Sequence, residues 1–438
     1  MTAVRTVLCL SLAGACISAL PSTTVAQGAP QPGAEAGETY PDNHPDLLDG
    51  TLSGKGDLEE DERPKIGVFR MPTLLDPWFA FKERIASKHG LHFGGSWGVL
   101  WQDYSNTFIG EEDSVGQKFT FNVSWELLNR GRPNTLWYEL VVEDRGPMGT
   151  EFAPLQAGLG SGTIVPTAAT WGDFDLGVTQ SYIRQDLFNH SVQYAVGKVF
   201  APNFINPYPF FDDNRQFLNQ TFSTSPTIPT PLRGFGAVAA WYPTSLGLYL
   251  KGGMYTNHSS DVGFTADNFF ADPEHFYHVE AGWSGLARSG VPIQARGPMD
   301  TNNFSITLWQ RDAQDFGNPI FFEGSEGIAF NANYMVLDNV MVFARGGWSE
   351  GWVTDENFTL GFGWRPRMEY SDLFGFGVGW AKPANDFLSE QYTWEVFYRF
   401  MLTPNLALTP DLQLITDPAL DPTEDELWVF SLRSRVTF

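Results

Sequence analysis

A chain of 438 residues with 51 acidic against 27 basic side chains has a formal charge of −24, so a phosphate backbone would meet net repulsion and nucleic acid is excluded as a partner. Aromatic residues make up 15% of the chain, yet mean hydropathy is −0.20. No apolar run beyond the first 25 residues approaches the ~18 needed for a spanning helix, which excludes a helical membrane protein.

Residues 1–26 read as a secretory signal. Arg5 supplies the positive end, Val7 to Leu20 is mostly apolar, and Thr24-Val25-Ala26 places small residues before a cut ahead of Gln27. Both cysteines, Cys9 and Cys16, fall inside this segment, so the processed chain holds neither a disulfide nor a thiolate metal site. A lipoprotein anchored through Cys16 is disfavoured, because Ala13 stands where a lipobox prefers Leu. Residues 27–63 are rich in Pro, Gly, Asp and Glu and hold too few large apolar groups to offset the entropy of ordering; a disordered periplasmic arm is expected. Residues 64–90 form a short helical N-terminal segment, with a helix from Asp76 to His89 that has Pro77 at N1, basic residues toward its end and Gly90 as its stop.

From Leu91 the pattern changes to period two, the spacing at which alternate side chains face opposite sides of a strand. In the C-terminal ELWVFSLRSRVTF, Trp428, Phe430, Leu432, Val436 and Phe438 share one face, and Ser431, Arg433, Arg435 and Thr437 the other. The split recurs between Phe119, Phe121, Val123, Trp125, Leu127 and Lys118, Thr120, Asn122, Ser124, Glu126, and again around Trp394, Val396, Tyr398 and Phe400. A soluble sheet would need a protein layer over the apolar face, whereas in a bilayer lipid covers it. The fold class is therefore all-β: residues 91–438 form an antiparallel up-and-down transmembrane β-barrel of about 16 strands. The segments fall near 91–104, 116–130, 134–145, 176–187, 191–200, 233–242, 245–256, 275–286, 301–312, 325–336, 339–350, 355–364, 372–382, 391–402, 405–417 and 426–438. Tight connections follow even-numbered strands and long ones odd-numbered strands, as expected when both termini lie on one side of a barrel. The stretch 287–300 is an exception, and strands 4 and 11 alternate poorly.

A pore selects by its width, its lining charge and the hydrogen-bonding groups that replace water around the solute. The inward candidates are Arg145, Arg184, Lys198, Lys251, Arg311, Arg345, Arg399, Arg433 and Arg435, with Glu126, Glu139, Glu143 and Glu395. Cross-strand ion pairs that merely stiffen the wall account for the same residues. The loop 201–232, with its Pro, Phe and Tyr, is too long and apolar to lie open in water, so it is expected to fold into the barrel and narrow it. Asn203, Asn206, Asp212, Asp213, Asn214 and Arg215 would then offer sugar hydroxyls their partners near the constriction. A lid or subunit-contact loop without solute contact is the competing reading.

Other patterns carry little. Gly158 to Gly162 lacks the lysine and helix of a phosphate cradle. His275 and His278 face opposite sides of a predicted strand, which is wrong for joint metal ligation. Asp417, Asp421, Glu424 and Asp425 read as a solvated surface rather than a divalent-ion site. No catalytic residues, metal site or cofactor are expected.

The chain resembles the carbohydrate-selective porin (OprB-like) family. The resemblance rests on TWEVFYRFMLTPNLALTPDLQLITDPALDP and LWVFSLRSRVTF, with Tyr398-Arg399-Phe400, Pro410-Asp411-Leu412-Gln413 and terminal Phe438, and on GKVFAPNFINPYPFFDDNRQFLNQTF. The helix Trp78 to His89 is similar to the family's N-terminal helix, although Asp76-Pro77-Trp78-Phe79 replaces the usual Asp-Trp-Gly-Gly-type opening. The resemblance implies an outer-membrane porin for passive diffusion of glucose-like sugars through a polar constriction. Its partners would be transported sugars, outer-membrane lipid and lipopolysaccharide; a monomer and a homotrimer both stay open. A general or anion-preferring porin is the alternative, and a secreted carbohydrate-binding β-protein without a pore stands behind it.

Overall fold

The computed structural model describes residues 46–48, 52–63, 65–69, 75–132, 134–260, 262–264, 266–271, 274–287, 298–315, 321–367 and 371–438. The expected export signal and the first part of the expected arm lie outside them. Sixteen strands form the barrel: β1 (Leu91–Tyr104), β2 (Asp113–Leu128), β3 (Leu136–Pro147), β4 (Phe174–Leu187), β5 (Val192–Phe200), β6 (Arg233–Trp241), β7 (Leu248–Thr256), β8 (His275–Leu286), β9 (Thr301–Arg311), β10 (Ser325–Leu337), β11 (Val340–Glu350), β12 (Thr354–Trp364), β13 (Leu373–Pro383), β14 (Gln391–Thr403), β15 (Leu406–Thr416) and β16 (Glu426–Thr437). Each pairs antiparallel with its chain neighbours, and β1 closes on β16 from Ser96↔Thr437 to Tyr104↔Val429. Every strand end lies within three residues of its expected position.

Alternation decides which way each side chain points, and the result inverts a soluble protein. Trp97, Leu250, Ile306, Leu308, Val336 and Phe430 are exposed on the outer surface, while Arg433 and Lys198 are 1% exposed and Glu280 is fully buried. Such a distribution is stable only where lipid covers the outside. The poor alternation of strand 4 has a structural cause: its register against β3 slips between Val141 and Val142 and again between Glu143 and Arg145. In strand 11 the side chain is missing at Gly346 and Gly347.

Among the described residues two helices precede the barrel. The second, α2 (Asp76–His89), has the expected bounds and ends at Gly90 in the left-handed conformation at φ 66°, where Arg130 reaches across to donate to the Lys88 carbonyl at 2.7 Å. The first, α1 (Gly54–Glu62), corrects the expectation of disorder through residue 63. Ser53 caps it by accepting from Gly56 N at 3.0 Å, and Lys65 donates to the carbonyls of Glu60 (2.6 Å) and Asp61 (2.9 Å) in its last turn. Asp57 and Leu58 are buried against the inner wall, where Asn122 of β2 donates to Asp57 at 2.5 Å. Charge complementarity with the lumen, rather than apolar area, orders this stretch.

Candidate functional site

Of residues 201–232 only Leu232 is exposed. The loop lies inside the barrel, seated on a wall cleared for it by glycine. Gly347, Gly363, Gly377 and Gly379 all point inward from β11, β12 and β13. A Cβ would stand 2.2 Å from Thr227 at Gly347, 2.3 Å from Phe210 at Gly363, 2.7 Å from Phe222 at Gly377 and 2.3 Å from Thr221 at Gly379. Into that space pack Phe210, Phe217 and Phe222, which meet Phe343 and Phe397 of the wall; Phe217 lies 5.0 Å from both Phe222 and Phe397 between ring centroids.

Polar anchors surround this aromatic seat. Arg345 donates to the carbonyls of Thr224 (2.9 Å), Asn206 (3.1 Å) and Phe222 (3.4 Å) and to Asn206 Oδ1 (2.9 Å), and its guanidinium sits 4.0 Å over the Tyr208 ring. Glu395 accepts from the amides of Leu218 (2.5 Å) and Asn219 (3.0 Å). Arg433 donates to the carbonyls of Asp213 and Gln216. On the opposite wall Glu280 accepts from the Asn206 amide at 3.1 Å and pairs with Lys251 at 2.9 Å.

Asp212, Asp213, Asn214 and Arg215 come together with Arg399, Arg433 and Arg435. Asp213 accepts from Thr170 N and Oγ1 at 2.6 and 2.5 Å and lies 3.6 Å from Lys118. Arg215 pairs with Asp212 of its own loop and with Asp57 (2.5 Å) and Asp61 (2.8 Å) of α1, while Arg435 takes Asp61 with both guanidinium nitrogens at 2.7 Å. Burial opposes charge on Asp61, but Arg215 and Arg435 outweigh it and hold the carboxyl well below its usual range. Burial likewise opposes charge on Arg215, and Asp57, Asp61 and Asp212 more than reverse it. On Asp57, burial wins and pushes the carboxyl up. A pocket is bordered by Glu60, Asp61, Lys65, Asn214, Arg215, Arg399 and Arg435. A second is bordered by Asp57, Lys118, Asn122, Glu143, Arg145, Asn214 and Arg233. Asn214 lines both.

The other sequence candidates are spread around the wall, and Arg145 and Arg399, which border the pockets, have further partners there. Arg145 pairs with Glu143 and donates to the Thr170 carbonyl. Arg184 pairs with Asp46, and Glu139 accepts from Ser124 at 2.7 Å. Arg399 donates to the Ser371 carbonyl at 2.9 Å. Lys198 reaches the Val178 carbonyl at 2.7 Å. Asn203 is buried near Gln180. Arg311 lies over Trp352 beneath the long loops, and Glu126 caps the β2–β3 turn through Gly131 N at 3.2 Å, apart from the cavities.

Sequence reading missed Lys118, Arg233 and Glu280 as lining groups, and all of α1. Parity along β8 was the available signal for Glu280, which sits directly across from Lys251. Two Gly-x-Ser-x-Gly runs were also passed over, Gly94 to Gly98 and Gly347 to Gly351. The first lies within β1, and the second leads from the end of β11 through a turn to β12. Neither has the strand-to-helix elbow of a serine hydrolase. Among the described residues no group of three or more His, Cys, Asp or Glu is arranged to hold a metal.

A family model for the carbohydrate-selective porin, OprB family, matches residues 111–438. Among solved structures, the high-pH structure of Pseudomonas putida OprB is 16% identical, covers 82% of this chain and 97% of its own, and has a TM-score of 0.65. The low-pH structure of the same protein (12%, coverage 84% and 100%, TM-score 0.49) and a mutant of Rh. blastica porin (11%, coverage 80% and 100%, TM-score 0.49) also align. At these identities the likeness speaks for the fold alone. No curated protein matches.

Proposed function

We propose, from the premise that this chain belongs to the carbohydrate-selective porin, OprB family, that the loop 201–232 forms the selective constriction of a sugar-diffusing outer-membrane porin. The protein is a channel of the porin class rather than an enzyme. Its barrel lies in the bacterial outer membrane, delivered there by the cleaved segment 1–26, with the tight-turn end and both termini toward the periplasm.

What supports the reading is the lining of the two pockets that Asn214 shares: amide, carboxylate and guanidinium groups of the loop, α1 and the wall, the planar groups that replace water around hydroxyls. A glucose-like solute sheds part of its hydration against Asn214, Asp212, Arg215, Arg399 and Arg435, then leaves down its gradient. Arg433, Asp213 and Glu395 hold the loop's shape, Arg345 with Asn206 fixes its far side, and Arg145 lines the second pocket while holding the Thr170 carbonyl. Asn203, Arg184 and Glu139 line the wall away from this path.

Liposomes bearing the purified protein should swell faster in glucose than in charged solutes of equal size. Equal swelling rates would refute carbohydrate selectivity and favour the general porin. The guanidinium-rich sector is the observation that favours an anion-preferring pore, and reversal potential under a salt gradient separates the two.

A further inference from the structure

Arg215, Arg399, Arg433 and Arg435 crowd one sector of the lumen, and all are buried. Fixed charge between low-dielectric walls focuses a field along a pore, so an uncompensated lining of this kind draws in anions ahead of neutral solutes. Two of the four are directed at carbonyls: Arg433 at Asp213 and Gln216, and Arg399 at Ser371. Arg435 is not. Its carboxylate partners are Asp61, at 2.7 Å through two hydrogen bonds, and Asp57, at 3.6 Å. The same two residues supply two of the three carboxylates on Arg215. Both belong to α1, whose sequence GKGDLEEDE sets five acids against one lysine. α1 is not part of the barrel wall, yet it borders both of the pockets that Asn214 lines.

We infer that α1 is a built-in counter-ion. By neutralising Arg215 and Arg435 where solute passes, Asp61 and Asp57 keep the pore selective for neutral solutes over anions, and a barrel of the same lining without them prefers anions. The inference rests on the sugar-pore reading above and assigns to Asp57 and Asp61 a role in specificity. They act through the two arginines as positioning and charge-masking residues and need not contact the sugar.

The test uses the full-length protein in planar bilayers under a potassium chloride gradient. Asp61→Asn, and Asp57→Asn with Asp61→Asn, should raise the chloride-to-potassium permeability ratio roughly threefold or more, with gluconate swelling rising relative to glucose. Adding Arg215→Gln and Arg435→Gln to the double variant should bring the ratio back to the wild-type value, which a purely structural role of α1 would not produce. Unchanged permeability ratios in both aspartate variants overturn the inference, as does anion preference that persists after the arginines are removed. If the double variant does not form a barrel, Asp61→Asn alone decides, since Asp61 carries the bidentate pairing. Wild-type protein that opens no channels sinks the pore reading itself, whereas conducting channels with an unmoved ratio sink only this inference.

Discussion

Replacing Arg345 by Met keeps most of the side-chain volume and removes the guanidinium on which four acceptor atoms of the inner loop converge. Counting only the two 2.9 Å bonds, at about 1.5–3 kcal/mol each for a charged donor, the loss is about 3–6 kcal/mol. The contact with Tyr208 adds about 1 kcal/mol. Methionine avoids burying a cation, which returns several kcal/mol, so the net cost is about 2–4 kcal/mol. It falls on the seating of the loop, because the strand ladder of β11 is untouched. In population the cost is a ~30- to ~10³-fold rise in the unseated loop. Limited proteolysis in detergent micelles reads that population when reseating is fast relative to cleavage. Cleavage within 201–232 should accelerate by a similar factor, with larger and noisier single-channel conductance and retained heat-modifiable migration. A folded variant with wild-type cleavage and conductance would refute the idea that Arg345 holds the loop.

Gly377→Leu forces a side chain to within 2.7 Å of Phe222; overpacking of about 1–3 kcal/mol should unseat the same loop, whereas leucine at the outward Val378 should leave cleavage unchanged. Leu308→Arg on the outer face, where Leu308 is 56% exposed, should cost about 2–4 kcal/mol in urea titrations of folding into vesicles if that face meets the bilayer core. His190, in the turn between β4 and β5, donates from Nδ1 to the Asp186 carboxylate at 2.7 Å, and that bond raises its pKa. The stabilisation is therefore complete below the ordinary imidazole range and is lost as pH rises through the folded-state value. NMR titration of the imidazole should give a midpoint above 6.5 that falls in Asp186→Asn.

The barrel was readable because lipid on one side and water or polar protein on the other impose a period of two, which the strands obey closely apart from β4, with its register slips, and β11, with Gly346 and Gly347. The loop's inward placement was readable from composition, since its Phe, Tyr and Pro had nowhere else to go. Its seat was written in FGFGVGW as well: Phe374, Phe376, Val378 and Trp380 point outward, while Gly375, Gly377 and Gly379 leave the inner face bare, and a bare face means that something packs there. α1 was hidden for the opposite reason. An acidic stretch whose one large apolar side chain is Leu58 has the composition of a solvated tail, and the cations that pair with it stand 158 and 374 positions away, at Arg215 and Arg435. Pairing across such distances has no local periodicity to betray it.

The contacts of the described residues among 46–69 have a consequence for assembly. This stretch touches β5 through Leu47 and Gln193, runs past β2 and the inner loop, and leaves beside the end of β14, where Val68 and Phe69 hydrogen-bond Met401 and Leu402. Asp61 finds Arg435 only once β16, the last strand made, has arrived. The seam between β1 and β16 and the seating of α1 are thus linked, because the pair between Asp61 and Arg435 needs in place the strand that closes the cylinder.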